Sequence, residues 1–247
     1  MKNSKFNILN YDNYPKNISV LYVILALIFT MVILTSNVVA GRLIIIGGIV
    51  FPGAVLLFPV AYIFGDILTE VYGFKRSRLI IWFGMFMNII MSLFFLLVNA
   101  MPTPTFWQSQ AHSYSLVLQM APRATLFGLI AYFGGEYLNS AVLSKMKVVT
   151  KGNLLWARLV GSTIIGEAFD SAIFITGTFM GLININVLLT MIISQYLLKV
   201  GIEVVALPIT YRIIAKIKKY EHLDTFDYNE KYNPILSPED FKSIQED

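Results

Sequence analysis

The sequence predicts an all-α integral membrane protein with six transmembrane helices, both termini in the cytoplasm and a short extracellular hairpin between helices 1 and 2. Three observations carry this. Apolar residues make up 56% of the 247 and charged ones only 14%, with a mean hydropathy of +0.67, far outside the balance of a soluble domain. Uncharged runs long enough for about 20 helical residues, the thickness of a bilayer's hydrocarbon, recur along the chain. Lys and Arg fall on alternate connections: Lys2, Lys5 and Lys16 before the first span, Lys75, Arg76 and Arg78 after the second, Lys145, Lys147 and Lys151 after the fourth, and Arg212, Lys216, Lys218, Lys219, Lys231 and Lys242 at the end. The opposite connections carry only Arg42, so the positive-inside rule places both ends in the cytoplasm.

The elements follow in order. Residues 1–17 are a polar cytoplasmic arm, 18–215 the membrane domain and 216–247 a cytoplasmic tail. The first span covers roughly 18–40 and ends in Thr35, Ser36 and Asn37, which suit a hydrogen bond to a ligand or to a neighbouring helix. The run is too long for a cleavable signal peptide, and no small-residue cleavage site follows it. In 43–51, β-branched runs flank Gly47-Gly48, which predicts a two-residue hairpin turn covering the membrane domain from outside. Pro52-Gly53 opens the second span, 54–72, and Gly73 closes it.

The third span, 79–98, has Asn88 as its strongly polar interior residue. Residues 99–120, with Pro102, Pro104, Trp107 and His112, read as an interfacial loop or amphipathic turn. The fourth span, 122–143, carries Arg123 at its entry and Glu136 and Asn139 deeper. The fifth, 154–181, holds Arg158, Ser162, Thr163, Glu167, Asp170 and Ser171. The sixth, 187–215, sets Gln195, Lys199 and Glu203 on one face at intervals of four, with Pro208 as a kink.

The ionisable residues inside these spans are the functional signal. A charged side chain at the centre of a bilayer costs about 2.5–3.5 kcal/mol on insertion scales, so such residues face a bundle interior and mark a ligand or ion path. The acids Asp66, Glu70, Glu136, Glu167, Asp170 and Glu203 outnumber the bases Arg123, Arg158 and Lys199, so the interior favours protons or a positive, donor-rich ligand. Asp66 and Glu70 share a face of span 2 with Tyr62 one turn earlier. Lys199 and Glu203 are spaced to neutralise each other, and Glu70 and Arg158 near the inner surface suit a structural pair; Asp66 and Asp170 have no sequence neighbour of opposite charge, and the alternative to a ligand role for Asp170 is a pair with Lys199. The charge of +4 is spread among apolar segments, so no nucleic-acid partner is expected. Without cysteine there is no disulfide, thiolate metal site or cysteine nucleophile, and His112 and His222 do not make a metal cluster; no cofactor is expected.

Two stretches resemble a known family, the queuosine-precursor transporters of the vitamin-uptake-transporter group. They are Phe58-Pro59 through Gly65-Asp66-Ile67-Leu68-Thr69-Glu70-Val71-Tyr72-Gly73-Phe74-Lys75-Arg76-Ser77-Arg78, and Arg158 through Gly161-Ser162-Thr163, Asp170-Ser171 and Phe174. Helix number and order fit along nearly the whole chain; Glu167 departs, standing where the family leads one to expect Gln. The resemblance implies a multi-pass importer in the bacterial plasma membrane, not an enzyme, that takes 7-deazaguanines such as queuine or its aminomethyl precursor for salvage into tRNA. The physics of such a ligand agrees: its N1–H and exocyclic amine donate side by side to one carboxylate, an amide serves its carbonyl, and a second carboxylate holds its protonated amine. The substrate-binding residues expected are Asp170, Glu167 and Gln195, with Asn37, Tyr62, Lys199, Glu203 and Arg158 around them and Asp66 and Glu70 on the inner route.

Two other readings stand beside this one. The group is also similar to substrate-binding subunits of energy-coupling-factor transporters, which need an ATPase module; those carry Ala-x-x-x-Ala on the first helix, whereas Ala26 is followed here by Thr30, so no ATPase partner is expected. An intramembrane aspartyl protease using Asp66 and Asp170 would need Tyr-Asp and Gly-x-Gly-Asp at these positions, whereas Gly65-Asp66 is preceded by Ile63-Phe64 and Asp170 by Phe169. A homodimer in the bilayer is left open.

Overall fold

The computed structural model describes residues 19–40, 42–119, 121–228, 230 and 232–236, with the side chains of 116–125 left aside. The arm 1–17, the side chain of Arg123, Lys231 and the end of the tail lie outside this description. The described residues form a mainly helical protein with a single two-stranded sheet.

Helix α1, Val20–Ala40, starts where Ser19 Oγ accepts the amide of Tyr22 at 3.0 Å, an N-cap that supplies one of the acceptors a helix start lacks. Strands β1, Leu43–Ile46, and β2, Ile49–Pro52, pair antiparallel with Leu43 opposite Pro52. Gly47 and Gly48 turn the chain at φ of 58° and 82°, the positive angles that a two-residue turn of this hand requires, so the expected hairpin is present. A 3-10 turn, Gly53–Leu56, leads into α2, Phe58–Tyr72, which has Pro59 in its first turn.

Gly73 alone separates α2 from α3, Phe74–Ala100, which is 27 residues long and starts five residues before the sequence suggests. The segment expected to be a loop between 99 and 120 contains a helix, α4, Gln108–Gln119. Its residues alternate polar and apolar too weakly to give a clear helical stripe, so composition pointed to a loop. Then come α5, Ala121–Val149, α6, Leu155–Phe179, and α7, Ile185–Glu221, whose first turn is capped by Asn184 accepting from the amide of Asn186 at 2.9 Å. At 37 residues α7 continues past the expected end at 215, by about 9 Å at 1.5 Å per residue. Lys218 and Lys219 sit in its last turn, where cations complement the helix dipole.

Among the described residues four helices, α1, α3, α6 and α7, are long and apolar enough to cross a membrane. Their outward residues, such as Leu27, Phe94, Leu197 and Val205, are large, apolar and exposed, as lipid-facing positions are. Helix α2, 15 residues long, is the axis of the bundle: it packs on α1, α3, α5 and α7 and is buried along most of its length, Asp66 and Glu70 included. Helices α5 and α6 make the most extensive contact in the molecule.

The described residues beyond α7, 222–228, 230 and 232–236, fold back as a strap over the ends of α2, α3 and α5. The carboxylate of Asp227 accepts the amide of Phe74 at 3.0 and 3.2 Å, capping α3 from 153 residues away. Trp82 donates to the carbonyl of Pro234 at 2.7 Å, Arg78 to that of Asn233 at 2.5 Å and Tyr137 to that of Tyr232 at 2.7 Å. The tail is thus packed structure up to residue 236.

Candidate functional site

Two clusters of charged side chains lie inside the bundle. The first is centred on Lys199 of α7. Its Nζ is 2.5 Å from Asp170 Oδ2 and 2.7 Å from Glu167 Oε2, carboxylates that α6 presents one turn apart. The same ammonium lies 4.1 Å from the ring centroid of Phe58 and 5.8 Å from that of Tyr62, both on α2, so ring faces complete the enclosure. Gln195, Lys199 and Glu203 share the inward face of α7 and are all buried. From α5 come Glu136 and Asn139, whose Nδ2 donates to Asp66 Oδ1 at 2.6 Å.

Close helix approach draws these groups together. A Cβ at Gly135 would lie 3.1 Å from the carbonyl of Gly166, 2.9 Å from the Tyr62 hydroxyl and 3.0 Å from Asp170 Cβ, so only glycine lets α5 meet α6 and α2 here. Several buried polar atoms of this centre have no hydrogen-bond partner: the Tyr62 hydroxyl, both oxygens of Glu136, both oxygens of Glu203 and both amide atoms of Gln195. Each such atom costs about 1–3 kcal/mol of desolvation, a concentration that a folded core avoids unless the groups serve a ligand.

The second cluster is centred on Glu70, toward the strap. Glu70 Oε1 is 2.7 Å from Lys218 Nζ, 3.0 Å from Arg158 Nη2 and 3.6 Å from Lys147 Nζ. Lys147 also donates to the carbonyls of Glu70 at 2.6 Å and Thr225 at 2.7 Å and to Asp224 Oδ1 at 2.5 Å, and lies over the ring of Phe226 at 4.8 Å. Asp224 in turn is 2.8 Å from Lys218. This network ties α2, α5, α6, α7 and the strap at one level.

The expected site residues therefore divide. Asp170, Glu167, Gln195, Tyr62, Lys199, Glu203 and Asp66 come together in the first centre. Asp170, which has no sequence neighbour of opposite charge, is paired across helices with Lys199, and Lys199 reaches α6 instead of forming the intrahelical pair with Glu203 that spacing suggested. Glu70 and Arg158 form the expected pair and belong to the second cluster. Asn37 donates to Asn88 Oδ1 at 2.6 Å and lies a layer away, tying α1 to α3. Sequence reasoning did not assign Phe58 to the site, nor Lys147, Lys218 and Asp224 to the lock around Glu70. Phe58, one turn before Tyr62 on the same face, carried a usable signal; Lys147 and Lys218 are brought to Glu70 by the packing of α5 and α7 on α2, and Asp224 by the fold of the strap.

A multi-pass helical membrane protein whose ionisable side chains gather around a buried, partner-poor centre has the build of a membrane transporter. The comparison with known families agrees: residues 52–213 match the model described as "Putative vitamin uptake transporter", and the chain belongs to that family. Among curated proteins it is 28% identical over 148 residues to the "Probable queuosine precursor transporter" of Bacillus subtilis (strain 168). That match takes in 59% of this chain and 64% of the relative's length, just under two thirds. No solved structure matches the chain.

Proposed function

We propose that the protein imports queuosine precursors, 7-deazaguanines such as queuine or its aminomethyl precursor, across the bacterial plasma membrane for salvage into tRNA. The observation that carries this reading is the juxtaposition of Glu167, Asp170 and the unpartnered Gln195 amide beside the rings of Phe58 and Tyr62. Asp170 accepts the ligand's N1–H and exocyclic amine, Gln195 serves its carbonyl, Glu167 holds its second amine, and the rings cover its face. The printed name of the 28%-identical relative supports the same ligand class. In this reading Asp66, bonded to Asn139, begins the route inward from the site.

The chain crosses the membrane six times, α2 and α5 included, with both ends inside and the hairpin outside. Tags at residues 1 and 247 are expected to report from the cytoplasm; labelling of either from outside intact cells would refute this. Transport proceeds without an ATPase module. The first helix supports that view: Ala26 and Thr30 are buried, with Thr30 donating to the Ala26 carbonyl at 2.8 Å, so this face is turned into the bundle and not toward a partner.

The deciding experiment is rescue. A bacterium unable to make queuosine, expressing this gene and supplied with each precursor separately, should recover queuosine in its tRNA. Absence of rescue by every precursor, with the protein present in the membrane, would overturn the reading.

A further inference from the structure

The ammonium of Lys199 already sits where a positive ligand would sit. Two carboxylates contact it at 2.5 and 2.7 Å and an aromatic face lies 4.1 Å away, the combination of countercharge and ring quadrupole that recognises an organic ammonium. One turn along α7, Glu203 is 1% exposed, with neither oxygen hydrogen-bonded, at the spacing where a lysine and a glutamate on one helix reach each other. The lysine stem is long and flexible enough to serve either seat.

We infer that Lys199 is an exchangeable counter-ion: a cationic ligand replaces its ammonium between Glu167 and Asp170, and Lys199 moves to Glu203. The inference rests on the proposed transport site for its location and adds the selectivity rule. A ligand bearing an ammonium brings the charge that Lys199 takes away, so the carboxylates of α6 remain compensated while Glu203 gains a partner. A neutral ligand of the same shape must also move Lys199 aside, yet leaves Glu167 and Asp170 as buried carboxylates without countercharge, a costly state. Selection of ammonium-bearing ligands over neutral isosteres thus follows from the two carboxylates, while the lysine sets a cost that every ligand meets on entering. Its return to the cage gives the protein a means of expelling the ligand.

The test is binding to the purified full chain of two probes, 7-deazaguanine carrying a 7-aminomethyl group and its neutral 7-hydroxymethyl isostere, with melting temperatures of every variant. Removing the competitor in Lys199→Met should raise affinity for both probes about tenfold or more, since neither then has to displace the ammonium, with the aminomethyl probe remaining the tighter of the two. Removing the alternative seat in Glu203→Gln should lower affinity for the aminomethyl probe about tenfold without lowering the melting temperature. Loss of aminomethyl binding in folded Lys199→Met would make the lysine a direct ligand contact and overturn the exchange, as would affinities for both probes unchanged from the parent. Where Lys199→Met does not fold, Glu203→Gln decides alone, and unchanged affinity in it overturns the inference. If neither probe binds the parent protein, it is the deazaguanine reading that fails. The exchange is then judged with benzylamine, an aromatic ammonium, in the same variants, and absence of benzylamine binding overturns it too.

Discussion

Around Lys199 a single ammonium stands among Asp66, Glu136, Glu167, Asp170 and Glu203; around Glu70 a single carboxylate is shared by Arg158, Lys147 and Lys218. Both clusters are buried, and both join α2, α6 and α7. They differ in how completely charge and hydrogen bonds are matched. The Glu70 cluster recruits Asp224, backbone carbonyls and the Phe226 ring until Lys147 is saturated, and its unbonded atoms are Glu70 Oε2 and Arg158 Nε and Nη1, on groups that each keep an ion-pair partner; the Lys199 cluster leaves both polar side-chain atoms of Gln195, Glu203 and Glu136 unbonded. A matched cluster resists change and holds helices together; an under-matched one is ready to accept donors. The contrast separates the part of the molecule that locks the fold from the part that handles ligand.

The comparison breaks most visibly at Glu70. Removing one partner of a buried ionic network strands the others and costs about 3–5 kcal/mol. Glu70→Gln leaves Arg158 and Lys147, each nearly inaccessible, without their central countercharge, so folded yield and melting temperature should fall sharply. Glu136→Gln, in the other centre, removes a carboxylate with no hydrogen-bonded partner and should leave stability equal to or above that of the parent. Equal losses in the two variants would show that the clusters do not differ as argued.

Asp170→Asn sharpens the other side. The substitution keeps volume but turns an acceptor-only group into one that presents a donor toward the ligand's donors, a buried mismatch of roughly 1–3 kcal/mol. Affinity for a 7-deazaguanine should fall about tenfold or more, while the fold survives because Lys199 keeps Glu167 at 2.7 Å. Unchanged affinity in a stable variant would remove Asp170 from the site; a loss of folded protein alone would place it with the Glu70 class of structural charges.

A smaller effect is expected at the strap. Asp227→Ala deletes the acceptor that caps the first amide of α3 and takes a hydrogen bond from Ser144, an N-cap loss of about 1–2 kcal/mol. Limited proteolysis should then cut after α7 more readily than in the parent, with ligand affinity unaltered. A strap as protease-resistant as before would mean that Tyr232, Asn233 and Pro234 hold it without the cap.

The sequence made the two clusters unequally legible. The hairpin was readable because Gly47-Gly48 between β-branched runs fits one turn geometry, and the centre around Lys199 because charged residues in apolar helices stand out singly. Asp170's partner was readable only as an alternative: Lys199 is an opposite charge at similar depth, but helix spacing reports neighbours on one helix and Lys199 lies 29 residues away on another. The lock around Glu70 was hidden for a stronger reason: Lys147 and Lys218 look like ordinary positive-inside residues, and Asp224 and Asp227 like ordinary tail acids. Helix packing on α2, with the return of the strap, turns these topology signals into partners of Glu70 and of one another. The late end of α7 has the same origin, since charged residues after 215 suggested exposure while their apolar neighbours Ile214 and Ile217 are buried against the bundle.

The smallest effect belongs to Asp224, where the lock meets solvent. Partial burial raises its pKa, but hydrogen bonds and charge from Lys147 and Lys218 outweigh this and hold it below the ordinary aspartate value. A carboxylate whose folded-state pKa is depressed adds stability that is fully present above the unfolded-state pKa. That stability disappears as pH falls through the folded-state value. Asp224→Asn should therefore be less stable than the parent at neutral pH, and the difference should close as the pH drops below the usual aspartate range. With 47% of the side chain exposed, screening keeps the difference under about 1 kcal/mol. Chemical denaturation of both proteins across that pH range checks it. A gap that stays constant to low pH would mean that the side chain acts through its shape and not its charge, and the strap would then be held by Asp227 and the backbone carbonyls alone.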